Sequence, residues 1–218
     1  MSRLGEAIKE YQEGFKNKVP SDIQRVMLEA TKKLESEKLS KNALKVGDRF
    51  ENEEFTNING KNVKLYDYFG DNNFLIINFY RGSWCPYCNL ELKSLQGYLE
   101  EFKKYNASLI AISPQTPDNS LSTKEKNELE FEVLSDIGNK VAKDLGLIFS
   151  LAEELRPIYE SFKIDIPNSN NDITYELPMP ATYVINKKGE VIFSFVDEDY
   201  TKRYEPEEIV KILKDNLI

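Results

Sequence analysis

The chain has 218 residues, with 29 Lys and Arg against 37 Asp and Glu, a formal charge of −8, two Cys and no His. That length suits one domain of generous size, or one domain with an appendage, and is enough for a real core. The acidic balance argues against a nucleic-acid partner, since phosphate binding rests on Lys and Arg, and the lack of His removes the commonest general base.

The first residues, Met1-Ser2-Arg3-Leu4-Gly5-Glu6, carry charge before any apolar segment forms, so no secretory signal is expected. Leu4, Ala7, Ile8, Tyr11 and Phe15 share one helical face. After Val19-Pro20, Ser21 can cap a second helix whose apolar face is Ile23, Val26, Met27, Ala30 and Leu34. Two amphipathic helices must pack on something. Two answers stay open: they cover the body of the same chain, or they form a homodimer contact.

From residue 42 the pattern changes. Segments 54–58 and 63–65 flank Asn59-Gly60, a strong hairpin signal. The run 73–80 reads as a buried strand. Its part 74–80 is also the longest strongly apolar run, far short of the ~20 residues of a membrane helix, so no membrane association is expected. A helix follows from Cys85 to about Tyr105, with Leu92, Leu95, Leu99 and Phe102 on one face. Residues 108–113 form a second buried strand, and strand–helix–strand at this spacing predicts a parallel pair.

Beyond Pro114 the pattern predicts a short helix to about Glu128, a strand at 132–135 and short helices at 139–145 and 151–162. Residues 165–176, rich in Asn, Ser, Pro and Asp, read as an ordered loop or lid. Segments 181–185 and 190–195 alternate around Asn186-Lys187-Lys188-Gly189 as an antiparallel hairpin. Pro206 opens a final helix. The sum is an α/β chain: a mixed sheet with helices on both faces, in the order of the thioredoxin fold. The predicted division is an N-terminal helical extension, 1–43, and a thioredoxin-like domain, 44–218.

The chemistry concentrates in Trp84-Cys85-Pro86-Tyr87-Cys88, which holds both cysteines, between a buried strand and a helix. Strand, Cys-x-x-Cys and helix start are the thioredoxin-type redox arrangement. The first helical turn has unpaired N–H groups and a partial positive charge, which favour a thiolate, the reactive form of Cys. Residues i and i+3 also lie within disulfide reach. Inert buried thiols are the bland alternative. A zinc site needs four ligands, and one chain with two Cys and no His cannot supply them with soft donors, though two chains could share one.

The segment 79–92, Phe79-Tyr80-Arg81-Gly82-Ser83-Trp84-Cys85-Pro86-Tyr87-Cys88-Asn89-Leu90-Glu91-Leu92, resembles the active-site region of the peroxiredoxin-like branch of the AhpC/TSA family. The likeness continues through Ala111-Ile112-Ser113-Pro114-Gln115-Thr116, Val133-Leu134-Ser135-Asp136, residues 177–185 and Asp197-Glu198-Asp199-Tyr200-Thr201. It implies a thioredoxin fold and peroxide reduction by thiols. Cys85 takes the place of the reactive cysteine, and Cys88 that of the partner resolving its oxidised form. Pro180 falls where thioredoxin-fold proteins carry a cis-proline facing that cysteine. Arg81, Trp84 and Pro86 are the remaining expected site residues. Gly82 and Asn78 stand where the family carries Thr or Ser and Pro, and Met179-Pro180-Ala181 lacks the family's arginine. Either Arg81 or Arg203 is available to replace it.

The reading is a cytoplasmic thiol peroxidase for hydrogen peroxide or organic hydroperoxides, cycling through a Cys85 sulfenic acid and a Cys85–Cys88 disulfide. A thioredoxin-type or small-thiol reductant would restore it, with no metal or organic cofactor. Two alternatives stay open: a cytoplasmic thiol–disulfide oxidoreductase, and a non-enzymatic redox sensor. Cys85 is expected to be the more exposed thiol with the lower pKa.

Overall fold

In the computed structural model, which describes residues 3–217, the chain begins with two helices, α1 (Leu4–Lys18) and α2 (Ser21–Glu37). Ser21, expected as the cap of the second, is instead its first helical residue; Pro20 holds the N-cap position without a side-chain bond, and a short 3-10 turn at Leu39–Asn42 leads into the sheet. Strands β1 (Glu54–Asn57) and β2 (Asn62–Lys64) form the predicted hairpin. Gly60 there takes φ +73°, and the Asn57 side chain accepts the N–H groups of Asn59 and Lys61.

Strand β3 (Phe74–Phe79) is buried at every position. It pairs parallel with β4 (Ala107–Ser113), which pairs parallel with β5 (Glu132–Ser135). On its other side β3 pairs antiparallel with β8 (Ala181–Asn186), itself hairpinned to β9 (Val191–Val196). The sheet order is β2-β1-β5-β4-β3-β8-β9. A strand in mid-sheet with both faces covered reads as a continuous apolar run, which is how β3 appears in the sequence. Its residues alternate between faces. Phe74 and Ile76 join the core under α3 (Pro86–Gly97), α4 (Leu99–Lys104) and α9 (Pro206–Asn216), while Leu75, Ile77 and Phe79 join the opposite core with Phe50, Ile110 and Tyr183.

The remaining elements are α5 (Pro117–Lys126), α6 (Lys140–Asp144), β6 (Ile148–Ser150), α7 (Arg156–Ser161), α8 (Ile166–Asn170) and β7 (Glu176–Pro178). Several differ from the sequence reading. The helix after Cys85 breaks at Tyr98, directly after Gly97, and restarts at Leu99. Glycine weakens a helix interior, and the restart buries Leu99 and Phe102. The helix expected over 151–162 is a 3-10 turn at Glu153–Leu155 followed by α7, because Pro157 has no N–H and fits only the first turn. The expected loop 165–176 holds α8, capped by Asp165 accepting from the Asn168 N–H, and leads into β7, which pairs with β6. Three-residue strands are too short to show periodicity.

The expected cis bond at Met179–Pro180 is not there: every peptide bond among the described residues is trans. The chain passes from β7 into β8 across two residues, and the Met179 N–H donates to the Leu147 carbonyl at 2.7 Å. A trans link completes that path.

The N-terminal helices cover the body of the same chain. Leu4 and Ile8 enter the core under α3 and α9. The Glu205 carboxylate accepts from Leu4 N at 3.1 Å and Gly5 N at 2.8 Å, satisfying two orphan donors at the start of α1. Helix α2 buries Ala30 in a third apolar cluster with Phe149, Leu155 and Met179. No described helix is long and apolar enough to cross a membrane.

Candidate active site

Beyond β3 the chain enters a tight turn. Gly82 has φ +154°, and a Cβ there would overlap the Trp84 indole, so this position requires glycine. Gln115, at the end of β4, holds the turn: its side-chain oxygen accepts the Ser83 N–H at 2.8 Å, and its amide nitrogen donates to Ser83 Oγ at 3.1 Å. Ser83 is therefore a structural turn residue.

The turn delivers Cys85 to the N-cap of α3, with Pro86 in its first turn. Both thiols are free. Two guanidinium groups flank them. Arg81 is 1% exposed and donates from Nη2 to the Tyr159 hydroxyl at 2.6 Å. Its Cζ lies 4.3 Å from the Tyr200 ring centre and 5.0 Å from that of Trp84. Among the described residues no carboxylate pairs with it. Arg203 folds back from the segment before α9. Its Nε donates to Glu91 Oε2 at 2.8 Å and its Nη2 to Cys88 Sγ at 3.4 Å. The sequence left Arg81 and Arg203 as alternatives, and the fold brings both to the cysteine pair.

A buried cation without a carboxylate is costly unless another anion offsets it. A thiolate at Cys85 would be such an anion, since the charged forms of Arg81 and Cys85 favour each other. Burial opposes charge on Cys85, but a hydrogen bond from Cys88 and the charges of Arg81 and Arg203 outweigh it and bring the thiol down to about 6. Cys88 moves the other way, pushed well up by burial and by its place as donor to Cys85. Burial raises Glu91 to about 7 against the pull of Arg203.

The expected contrast in exposure is absent: Cys85 is 1% exposed and Cys88 0%. Near them Tyr11 of α1 packs edge-on to Tyr87 at 5.2 Å and Tyr87 edge-on to Tyr200 at 5.6 Å. Access is what separates the thiols. Cys85 borders a large cleft beneath α1 and α2, together with Arg81, Trp84 and Pro86, and Cys88 does not. Trp84 is half-buried at that border. Pro180 is buried between β7 and β8 and does not border the cleft.

Glu91, Gln115, Tyr159 and Tyr200 were not singled out from the sequence. Glu91 carried a signal. Cys88, Glu91, Leu92 and Leu95 follow the spacing of one buried helical face, and a carboxylate on such a face is rare unless paired.

The AhpC/TSA family profile matches residues 46–194. The chain belongs to the AhpC/TSA family. Among curated relatives, chloroplastic peroxiredoxin Q of Suaeda salsa is 29% identical over 148 residues, covering 68% of this chain and 56% of the relative. The chain thus spans little more than half the length of that relative. The thiol-disulfide oxidoreductase ResA of Bacillus thuringiensis is 25% identical over 163 residues, covering 74% of this chain and 76% of the relative. Solved structures share the fold. Peroxidoxin BcpB from Mycobacterium tuberculosis gives a TM-score of 0.62 at 19% identity, covering 79% of this chain and 98% of that one. Xanthomonas campestris peroxiredoxin Q gives 0.59 at 16% identity, covering 81% and 99%. The chain is a peroxiredoxin-like member of the thioredoxin-fold proteins with additional N-terminal helices.

Proposed function

We propose that this chain is a cytoplasmic thiol peroxidase acting on hydrogen peroxide or organic hydroperoxides, with residues 44–218 as its thioredoxin-like domain and 1–43 as a helical extension. The observation that carries the reading is the Cys85 thiol at the N-cap of α3, lining the same cleft as a buried Arg81 with no carboxylate partner among the described residues. A thiolate beside cations at a helix start is the nucleophile that a peroxide needs. Arg81 and Arg203 also suit the negative charge that develops on the leaving oxygen.

In the proposed cycle the Cys85 thiolate attacks one peroxide oxygen and the O–O bond breaks. Cys85 becomes a sulfenic acid, and the other oxygen leaves as hydroxide or alkoxide and takes a proton. Cys88 sulfur then attacks Cys85 sulfur. The S–S bond forms, the sulfenic hydroxyl leaves, and with the Cys88 proton it becomes water. A dithiol reductant of the thioredoxin type, or small thiols, returns two electrons by exchange. Trp84 and Pro86 shape the approach to Cys85.

A second reading, thiol–disulfide oxidoreductase, draws support from the ResA relative and from two cysteines in one helical turn. Peroxide consumption coupled to a thioredoxin system, run beside insulin disulfide reduction, separates the two. The peroxidase reading expects rapid peroxide loss that Cys85→Ser abolishes. Peroxide loss no faster than with an unactivated thiol, alongside ready insulin reduction, would overturn it.

A further inference from the structure

The family match starts at residue 46, so α1 and α2 lie outside it. These helices turn the approach to Cys85 into a cleft of about 1320 Å³, above the ~300–1,000 Å³ of pockets that hold drug-sized ligands. The floor is Arg81, Trp84 and Cys85. One wall is Tyr11 and Phe15 of α1, and another is Met27 and Leu28 of α2. Tyr87, Leu90 and Phe162 complete it from the body. Phe15 meets Phe162 edge-on at 6.4 Å, so the far end of the hairpin also leans on the body.

Gly14 lies inside α1 and lines this cleft, and a Cβ built on it meets nothing within 4 Å. No turn or close contact requires glycine there, and glycine weakens a helix interior. Its missing side chain leaves that part of the cleft open.

Resting on the peroxidase reading above, we propose that the α1–α2 hairpin is a specificity element, and that the cleft takes a hydroperoxide carried on a bulky apolar body. Hydrogen peroxide gains nothing from apolar walls. An apolar body does, and binding energy from that remote part holds the peroxide group against the Cys85 thiolate. The thiolate attacks the oxygen distal to carbon, the O–O bond breaks, and the alkoxide leaves and takes a proton from water to give the alcohol. Cys85 is left as the sulfenic acid, which Cys88 resolves as above. Tyr11, Phe15 and Met27 are the specificity-determining residues.

The test compares kcat/KM for cumene hydroperoxide and for hydrogen peroxide in the full chain, in Gly14→Phe, which fills the cleft, and in Phe15→Ala, which removes part of its wall. The expected result is a fall of tenfold or more in the cumene-to-hydrogen-peroxide ratio for Gly14→Phe and a smaller fall for Phe15→Ala. Circular dichroism checks folding. If Gly14→Phe does not fold, the smaller Gly14→Met and Phe15→Ala decide. Ratios equal to wild type in the folded variants overturn the proposal while leaving a working peroxidase. A wild-type dimer that Gly14→Phe turns into monomer at an unchanged ratio also overturns it, because a second copy then occupies the cleft. A wild type that consumes neither peroxide overturns the peroxidase reading itself, and this inference with it.

Discussion

Arg203 bridges Glu91 and Cys88, donating through Nε to the carboxylate at 2.8 Å and through Nη2 to the thiol sulfur at 3.4 Å. Both ends of the ion pair are sealed, with side chains 1% and 2% exposed. Cys88 thus touches a cation whose counter-charge sits about one helical turn further along α3. Asn78, on the face of β3 turned toward α3, donates from Nδ2 to Thr182 Oγ1 at 3.3 Å.

The first prediction tests that bridge. Arg203→Met strands Glu91 in the core, where breaking a buried pair costs roughly 3–5 kcal/mol. The low end is expected, since burial already holds Glu91 near 7 and lets it take up a proton. Adding Glu91→Gln removes the stranded charge, so the double variant should recover more than half of the loss. Urea denaturation of the two single variants and the double variant measures this coupling. Additive losses would show that the two residues do not act as a pair.

The second prediction concerns Arg81 and pH. Cys85 ionises at about 6, so its alkylation rate should climb as pH rises through that value and level off above it. With Arg81→Met the Cys88 hydrogen bond and Arg203 remain, but one of the two cations that oppose burial is gone, and the midpoint should move upward. Iodoacetamide labelling from pH 4 to 9, read on the peptide carrying Cys85, gives the profile. An unchanged midpoint would place the stabilising charge elsewhere.

The third prediction concerns the turn behind the thiol. Gln115 bonds the Ser83 N–H and hydroxyl, and its amide nitrogen also reaches Ser169 Oγ at 3.0 Å. Gln115→Leu leaves the Ser83 N–H and two hydroxyls without these partners, at roughly 1–3 kcal/mol for each unsatisfied group. Melting temperature should fall, and peroxide kcat/KM should fall with it as Cys85 loses its fixed position. A stability loss with unchanged kinetics would confine Gln115 to a structural role.

The parts of this molecule that can be read in the sequence are those with local causes. The parallel β3–β4 pair, the Asn59-Gly60 hairpin and Cys85 at the start of α3 follow from apolar runs, turn chemistry and motif spacing. Glu91, Tyr159 and Tyr200 depend on contacts between distant segments. Arg81 meets Tyr159 across 78 positions, and Arg203 meets Glu91 across 112. Short elements such as β6 and α8 carry too few residues for a period to show. The trans bond at Pro180 is set by the path between two strands, one of which the pattern does not reveal.

The last prediction separates peroxidase from disulfide reductase within the same two sulfurs. Cys88 is the only other thiol in the chain, and it is pushed well above its ordinary pKa while Cys85 is pulled down. On the proposed function, attack begins at Cys85. If the substrate is a peroxide, Cys88→Ser treated with one equivalent should hold a sulfenic acid on Cys85, because no internal thiol can condense with it. Dimedone labelling and peptide mass spectrometry detect that species as a mass adduct on the peptide starting near Gly82. If the substrate is a disulfide, the same variant should instead accumulate a mixed disulfide, since the resolving thiol is what releases the partner. The cations facing Cys85 favour the sulfenic acid, because they stabilise an oxygen leaving group as well as the thiolate. Wild type should show neither species and should gain the Cys85–Cys88 disulfide. A Cys88→Ser protein that stays fully reduced with peroxide but forms a mixed disulfide with insulin would assign the site to disulfide exchange.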